Sequence, residues 1–291
     1  MNEQYDWSVV EKNILITGSS RGIGFHAALD LAKKGAHVII VSHNIEHCKN
    51  AVTSIRDKAG ESSARYYVVD LSVQDEIHHL ASTVLEDYDR LDVLINNVAG
   101  WFPKYEESED GIEMNLALNH LSYFLLTGLL FDRIMASSPA RIINVSSDAH
   151  RQVKGIRFDD IQFNTKYQAY PAYAQSKLAN IMFTYELARR LEGTDVTANA
   201  LHPGLVGTDL YRRYGFLSPI LKFIFQIVGK SPEQGAETPV YLASSPELSD
   251  VNGKYFVDKK EKRSSEASYD REAAQRLWEI SEEMTDFTYP I

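Results

Sequence analysis

Short, uninterrupted apolar runs alternate with segments of helical period along almost the whole chain, and this alternation constrains the fold more than any other feature. The runs NILITG (13–18), HVIIVS (37–42), RYYVVD (65–70), LDVLINN (91–97), RIINVSS (141–147), VTANALHPG (196–204) and GKYFVD (253–258) read as strands. Helical segments fall at 22–35, 46–59, 72–88, 111–135, in the stretch holding Lys177, and at 232–244 and 268–284. A strand that is apolar at successive positions, rather than at alternate ones, needs cover on both faces. The expected fold class is therefore α/β, a single doubly wound parallel sheet of about seven strands with helices on both faces. Two local expectations follow from side-chain chemistry. Ser72 should cap the helix ending near Tyr88. The helix carrying Lys177 should begin at Pro171, because proline suits the first helical position and disfavours helix for the residue before it.

With 291 residues, 44% of them apolar, the chain can bury a sizeable core. It shows no repeat, no low-complexity segment and no linker, so one domain over 1–291 is expected. The formal charge of −10 argues against a surface that tracks a phosphate backbone, so no nucleic-acid partner is expected. The single cysteine, Cys48, excludes an internal disulfide framework; it reads as an inert thiol and suits a cytoplasmic location. The stretch MNEQYDWSVVEKN (1–13) carries acids and no apolar run, and FLSPILKFIFQIVG (216–229) is too short to span a bilayer and is broken by Pro219 and Lys222. No metal-ligand spacing occurs among the nine histidines.

The sequence TGSSRGIG (17–24) sets Gly18, Gly22 and Gly24 between the first strand and its helix. A dinucleotide site needs a tight turn there, close approach of backbone to pyrophosphate, and a helix N-terminus aimed at negative charge. The second strand ends Val41-Ser42-His43 without a carboxylate, while Arg21 and His43 can offer positive charge or a donor to a 2′-phosphate. This favours NADP(H) over NAD(H).

Farther along, YQAYPAYAQSKLAN (167–180) holds three tyrosines before a lysine. A carbonyl reductase must protonate oxygen as hydride reaches carbon, and a phenol with a pKa of about 10 does this poorly unless a nearby cation favours its anion. Tyr173 and Lys177 stand one helical turn apart on one face. Tyr170 and Tyr167 are farther from the lysine, and Pro171 separates them from its helix. Ser146 and Ser147 close the fifth strand, and alternation allows only one of them to face a cleft.

Together these motifs resemble the short-chain dehydrogenase/reductase family, whose signature is T-G-x-x-x-G-x-G followed by N-N-A-G, a helical Asn, V-S-S, Y-x-x-x-K and P-G. The resemblance runs from about Asn13 to Thr285 and implies a Rossmann-type fold. Its nucleotide-binding half would be about 13–147 and its catalytic and substrate half about 148–285. It implies a catalytic set of Asn119, Ser147, Tyr173 and Lys177. Asn119 is preferred over Asn115 because N-H-L-x-x-F-L-L-T fits it better; His120 reads as a helix residue without chemistry. For the cofactor the resemblance implies Gly18, Ser20, Arg21, Gly22, Ile23, Gly24, Ser42, His43, Asp70, Leu71, Asn97, Ala99, Pro203, Gly204, Val206 and Thr208, with Tyr173 and Lys177. Val98 and Ala99 replace the usual small pair of N-N-A-G. The stretches NHLSYFLLT, INVSSDAH and AYAQSKLANIMFTYELARRL look most like retinol dehydrogenase-like reductases, as does the insert of 25 residues between Ser147 and Tyr173.

The implied function is hydride transfer between NADP(H) and a lipophilic aldehyde, ketone or alcohol. The rivals are an NAD-linked alcohol or steroid dehydrogenase with the same residues, and a regulator that binds NADP without turnover. The apolar segment 211–231 reads equally as a substrate lid or as a core or subunit-interface helix. Peripheral membrane contact through 216–228 and a homo-oligomer are left open.

Overall fold

The computed structural model describes residues 7–204 and 230–291. Its strands form one sheet in the order β3-β2-β1-β4-β5-β6-β7-β8. They are β1 (Asn13–Thr17), β2 (His37–Ser42), β3 (Ala64–Val68), β4 (Val93–Asn96), β5 (Ala140–Val145), β6 (Val196–His202), β7 (Tyr255–Val257) and β8 (Lys260–Glu261). All neighbours pair in parallel except β7 and β8, which form an antiparallel hairpin. That two-residue strand is too short to register as an apolar run, so the sheet has eight strands where about seven were expected.

The helices are α1 (Gly22–Lys33), α2 (Ile45–Ala59), α3 (Gln74–Asp87), α4, α5 (Phe131–Ala136), α6 (Ala169–Arg190), α7 (Pro232–Ser244) and α8 (Arg271–Thr285). The expected long helix over 111–135 is α4 and α5 together, and α4 is not uniform. It runs Met114–Leu116, widens into a π-helical turn at Ala117–Leu121, and resumes over Ser122–Leu129. Among the described residues no helix is long and apolar enough to cross a membrane.

Strand alternation divides the core between the two faces. Ile14, Ile16, Val38, Ile40, Val93 and Ile95 pack under α1, α2 and α7. Their neighbours Leu15, Ile39, Val41 and Leu94 pack on the opposite face with Tyr123, Phe124, Phe183, Trp278 and Tyr289. Each of these central strands therefore buries both sides, which is why its sequence is apolar throughout, whereas the edge strands β3 and β8 keep exposed residues. The chain reverses direction across the sheet between β1 and β4, and ligands of doubly wound folds bind beyond the carboxyl ends of the strands at such a point.

Two expectations are corrected. Ser72 does not cap α3: its amide and hydroxyl both donate to the Asp70 carboxylate, the N-cap position falls on Val73, and the Gln74 amide is met instead by Asp110. Helix α6 starts at Ala169 rather than Pro171. Proline is tolerated in any first-turn position, where the missing N–H has no intrahelical partner to lose, so Tyr170 lies inside the first turn.

Candidate active site

At the end of β1 the chain turns through Gly18 and enters α1 at Gly22. Arg21 holds the N-cap position without a capping side chain, and the first turn carries no acid. The first amides of α1 are thus left for an anion. Gly22 has φ of 60°, and a side chain there would stand in open space, so backbone conformation demands this glycine. Gly24 is demanded by crowding: a Cβ would lie 2.6 Å from Asn97 Nδ2 and 2.7 Å from the Gly18 carbonyl oxygen. Ile23, between them, packs against the α1 side of the core. This cradle suits the pyrophosphate of a dinucleotide.

The rim of the cradle is tied to β2 and β4. Ser20 donates to the hydroxyl of Ser42 at 2.8 Å, so Arg21 and His43, both exposed, each follow one member of a bonded pair. Asn97 is a staple: its Nδ2 donates to the carbonyls of Thr17 (2.8 Å) and Gly18 (3.2 Å), while Thr17 Oγ1 accepts from the amides of Asn97 and Val98. Val98 then presses on Gly18, and its carbonyl accepts from Tyr123 Oη at 2.8 Å. The larger residue in place of alanine is absorbed by this packing, and Ala99 stays exposed. Asp70 is exposed but engaged with Ser72, and Leu71 is buried in the core.

The other end of the edge is built on α6. Lys177 is buried, with Nζ 3.2 Å from the carbonyl of Val145, and 5.9 Å and 5.7 Å from the ring centres of Tyr173 and Tyr123. Burial pushes its pKa down from 10.5 to about 7. The two serines divide as alternation requires. Ser146 is buried and donates to the main-chain carbonyl of Lys177 at 2.7 Å. Ser147 is partly exposed and accepts from the Ala149 amide at 3.2 Å, so it also caps the short turn Asp148–Gln152.

Asn119 sits in the π turn of α4. Its Oδ1 accepts from the Gly100 amide (2.7 Å), and its Nδ2 donates to the Gly100 carbonyl (3.0 Å) and to Ser176 Oγ (3.0 Å). Ser176 in turn donates to the carbonyl of Tyr173 at 2.8 Å. Asn115 points elsewhere, donating to Glu113 and to Tyr167 Oη. Tyr167 donates to the Phe102 carbonyl at 2.6 Å, which anchors the insert, and Tyr170 is 48% exposed. Pro203 and Gly204 follow β6 at the same edge; Val206, Thr208 and nearly all of the apolar stretch 211–231 lie outside the described residues. A cavity of about 250 Å³ lies at the far, amino-terminal edge of the sheet between Trp7, Ala140, Val196 and Asn252, away from all of these groups.

A glycine cradle at a sheet switch point and a lysine–tyrosine turn on the flanking helix occur here on one edge. The family model for short chain dehydrogenase matches residues 12–215. The chain belongs to the short-chain dehydrogenase/reductase family.

Human retinol dehydrogenase 13 is 42% identical over 286 residues, covering 96% of this chain and 86% of the relative. Human retinol dehydrogenase 14 is 40% identical, covering 94% and 86%, and human polyprenol dehydrogenase is 37% identical, covering 93% and 84%. Among solved structures, an uncharacterised protein from Mycobacterium paratuberculosis superposes with a TM-score of 0.78 at 28% identity, covering 99% of this chain and 98% of that one. The Pseudomonas aeruginosa RhlG/NADP active-site complex gives 0.70 at 27%, covering 86% and 95%. The protein is thus an oxidoreductase of this family, related to retinol dehydrogenases.

Several residues of this short-chain dehydrogenase site were given no role by the motif reading: Thr17, Tyr123, Ser176 and Asn180. The signal for two of them was present. Tyr173, Ser176, Lys177, Asn180 and Thr184 recur at helical spacing, a polar stripe along one face of α6, and all but Tyr173 are buried. Buried polar groups at that spacing must find partners across the interface.

Proposed function

We propose that the protein transfers hydride between NADP(H) and a lipophilic aldehyde or ketone, or the corresponding alcohol, with Tyr173 as the acid–base group. The observation that carries this reading is Lys177, a cation buried one turn beyond Tyr173 and tied through Val145 and Ser146 to the end of β5. A buried lysine disfavoured by desolvation is retained where its charge has a use.

The dinucleotide supplies the carbon that gives or receives hydride. The α1 amides, with Ser20 and Arg21, would hold its phosphates, and Lys177 its nicotinamide ribose. Tyr173 gives its proton to the substrate oxygen in reduction and takes it back in oxidation. The ammonium of Lys177 favours the phenolate in both directions. Ser147 donates to the substrate oxygen, and Asn119 supports the path that returns the proton. The preference for NADP(H) rests on the β2 end, where no carboxylate opposes a 2′-phosphate and Arg21 is exposed. The lipophilic substrate class is supported by the names of the relatives and by the buried Trp101 and Phe102, the latter pinned by the insert's Tyr167.

The test is cofactor oxidation over a panel of lipophilic aldehydes with NADPH and NADH. NADPH-dependent turnover is expected, lost in Tyr173→Phe with cofactor affinity kept, and retained in Tyr170→Phe. Arg21→Ala should weaken NADPH binding and leave NADH binding unchanged. Tight NADPH binding without turnover on any substrate would instead identify a sensor, and equal affinities would remove the cofactor argument.

A further inference from the structure

Asn180 lies one turn beyond Lys177 and is fully buried. Its Nδ2 donates to the main-chain carbonyl of Asn119 at 2.7 Å, and its Oδ1 lies 3.3 Å from His120 Nδ1. Only one amide orientation satisfies both neighbours, since the carbonyl of Asn119 can only accept. His120 fixes that orientation. It is fully buried, and burial pushes its pKa down to about 4, so the ring is neutral and carries a single N–H. Placing that hydrogen on Nδ1 gives Asn180 Oδ1 a donor; placing it on Nε2 would set two lone pairs against each other. Nε2 then faces Ser281 Oγ of α8 at 3.0 Å, as a second acceptor for the hydroxyl proton beside the Leu277 carbonyl at 2.7 Å.

The bonds form one line. Ser281 holds His120, His120 orients Asn180, and Asn180 holds the carbonyl of Asn119. Asn119 then bonds Ser176, and Ser176 bonds the carbonyl of Tyr173. This line passes through the π turn of α4. A π turn is rare and occurs mostly as a single widened turn, frequently at functional sites, and here Asn119 is held by contacts from outside α4. Asn180 supplies one to its main chain, and Gly100 and Ser176 supply the others to its side chain.

We propose that Asn180 and His120 are positioning residues of this oxidoreductase, clamping the carbonyl of Asn119 so that the π turn presents Asn119 to Ser176 and Tyr173 in one geometry. The inference rests on the reading of Tyr173 as the acid–base group. It assigns work to a histidine that the motif reading left without any, and it ties the reacting edge to α8, some hundred residues farther along the chain.

The experiment uses four variants of the full chain: Asn180→Asp, His120→Leu, His120→Asn and Tyr173→Phe. Asn180→Asp keeps the size of the side chain and replaces the donor with an acceptor facing the Asn119 carbonyl. His120→Asn keeps an N–H near the position of Nδ1, and His120→Leu removes it. For Asn180→Asp and His120→Leu the expected result is a kcat lower by roughly 10- to 100-fold, with KM and NADPH Kd within about twofold of wild type. His120→Asn should recover most of the lost kcat. Wild-type kcat in Asn180→Asp, with Tyr173→Phe inactive, overturns this inference alone. If Asn180→Asp does not fold, the histidine pair decides: equal kcat in the Leu and Asn variants overturns the inference. Turnover that survives in Tyr173→Phe overturns the underlying reading and this inference with it.

Discussion

Lys177 has no carboxylate partner among the described residues; its Nζ meets a carbonyl and two aromatic rings. Holding an ammonium there opposes folding, and the opposition depends on pH. The folded pKa is about 7 against an ordinary 10.5, so between these values the unfolded chain binds the extra proton and stability rises with pH. Below pH 7 the whole cost is present. Lys177→Met keeps the stem and removes the charge. In the cofactor-free protein it should raise Tm at pH 6, by on the order of 5 °C, and abolish turnover. The Tm difference from wild type should narrow steadily from pH 7 towards pH 10. A difference that stays flat across that range would show that Lys177 titrates normally. The group to which the proposed function gives a chemical role is thus one that weakens the fold.

The start of α1 shows how an element can be specified by what it must not contain. Gly24→Ala would set a methyl group 2.6 Å from Asn97 Nδ2, the atom that staples β4 to the cradle, and 2.7 Å from a backbone oxygen that cannot move aside. The variant should lose NADPH affinity by tenfold or more, read by fluorescence titration, and about 1–3 kcal/mol of stability, read by urea melts. Retained affinity would mean that the cradle yields easily.

This loop was legible in the sequence because its constraints are local: a glycine trio between an apolar strand and a helix. The strands were legible for the same reason, since burial on both faces leaves an unbroken apolar run. What escaped notice depends on partners far away. The cap of α3 comes from Asp110 instead of the adjacent Ser72, and the π turn at Ala117–Leu121 is bonded by residues of α6 and α8. Lys177 could be placed beside Tyr173 by counting residues. Its support from Val145 and Ser146 could not, because that depends on which side of β5 each residue faces. Two cofactor candidates, Val206 and Thr208, were legible as motif positions only.

At the scale of the molecule, one face of the sheet is closed by a segment distant in sequence from the strands it covers. Tyr289 is buried, donates to the Phe124 carbonyl at 2.6 Å, and packs its ring at a tilt 4.6 Å from Trp278 and edge-on 4.9 Å from Phe124. Tyr289→Ala should cost about 3–5 kcal/mol, and Tyr289→Phe about 1 kcal/mol, compared by their urea midpoints. Similar losses for both would place the weight on the hydroxyl instead of the ring. Ser281, which meets His120, belongs to the helix that this ring pins in place. The line of bonds that reaches Asn119 and Tyr173 is therefore complete only with residues near the far end of the described chain in place. The turn from β1 into α1, by contrast, is stapled among residues 17–98, so the two ends of this edge depend on very different lengths of chain.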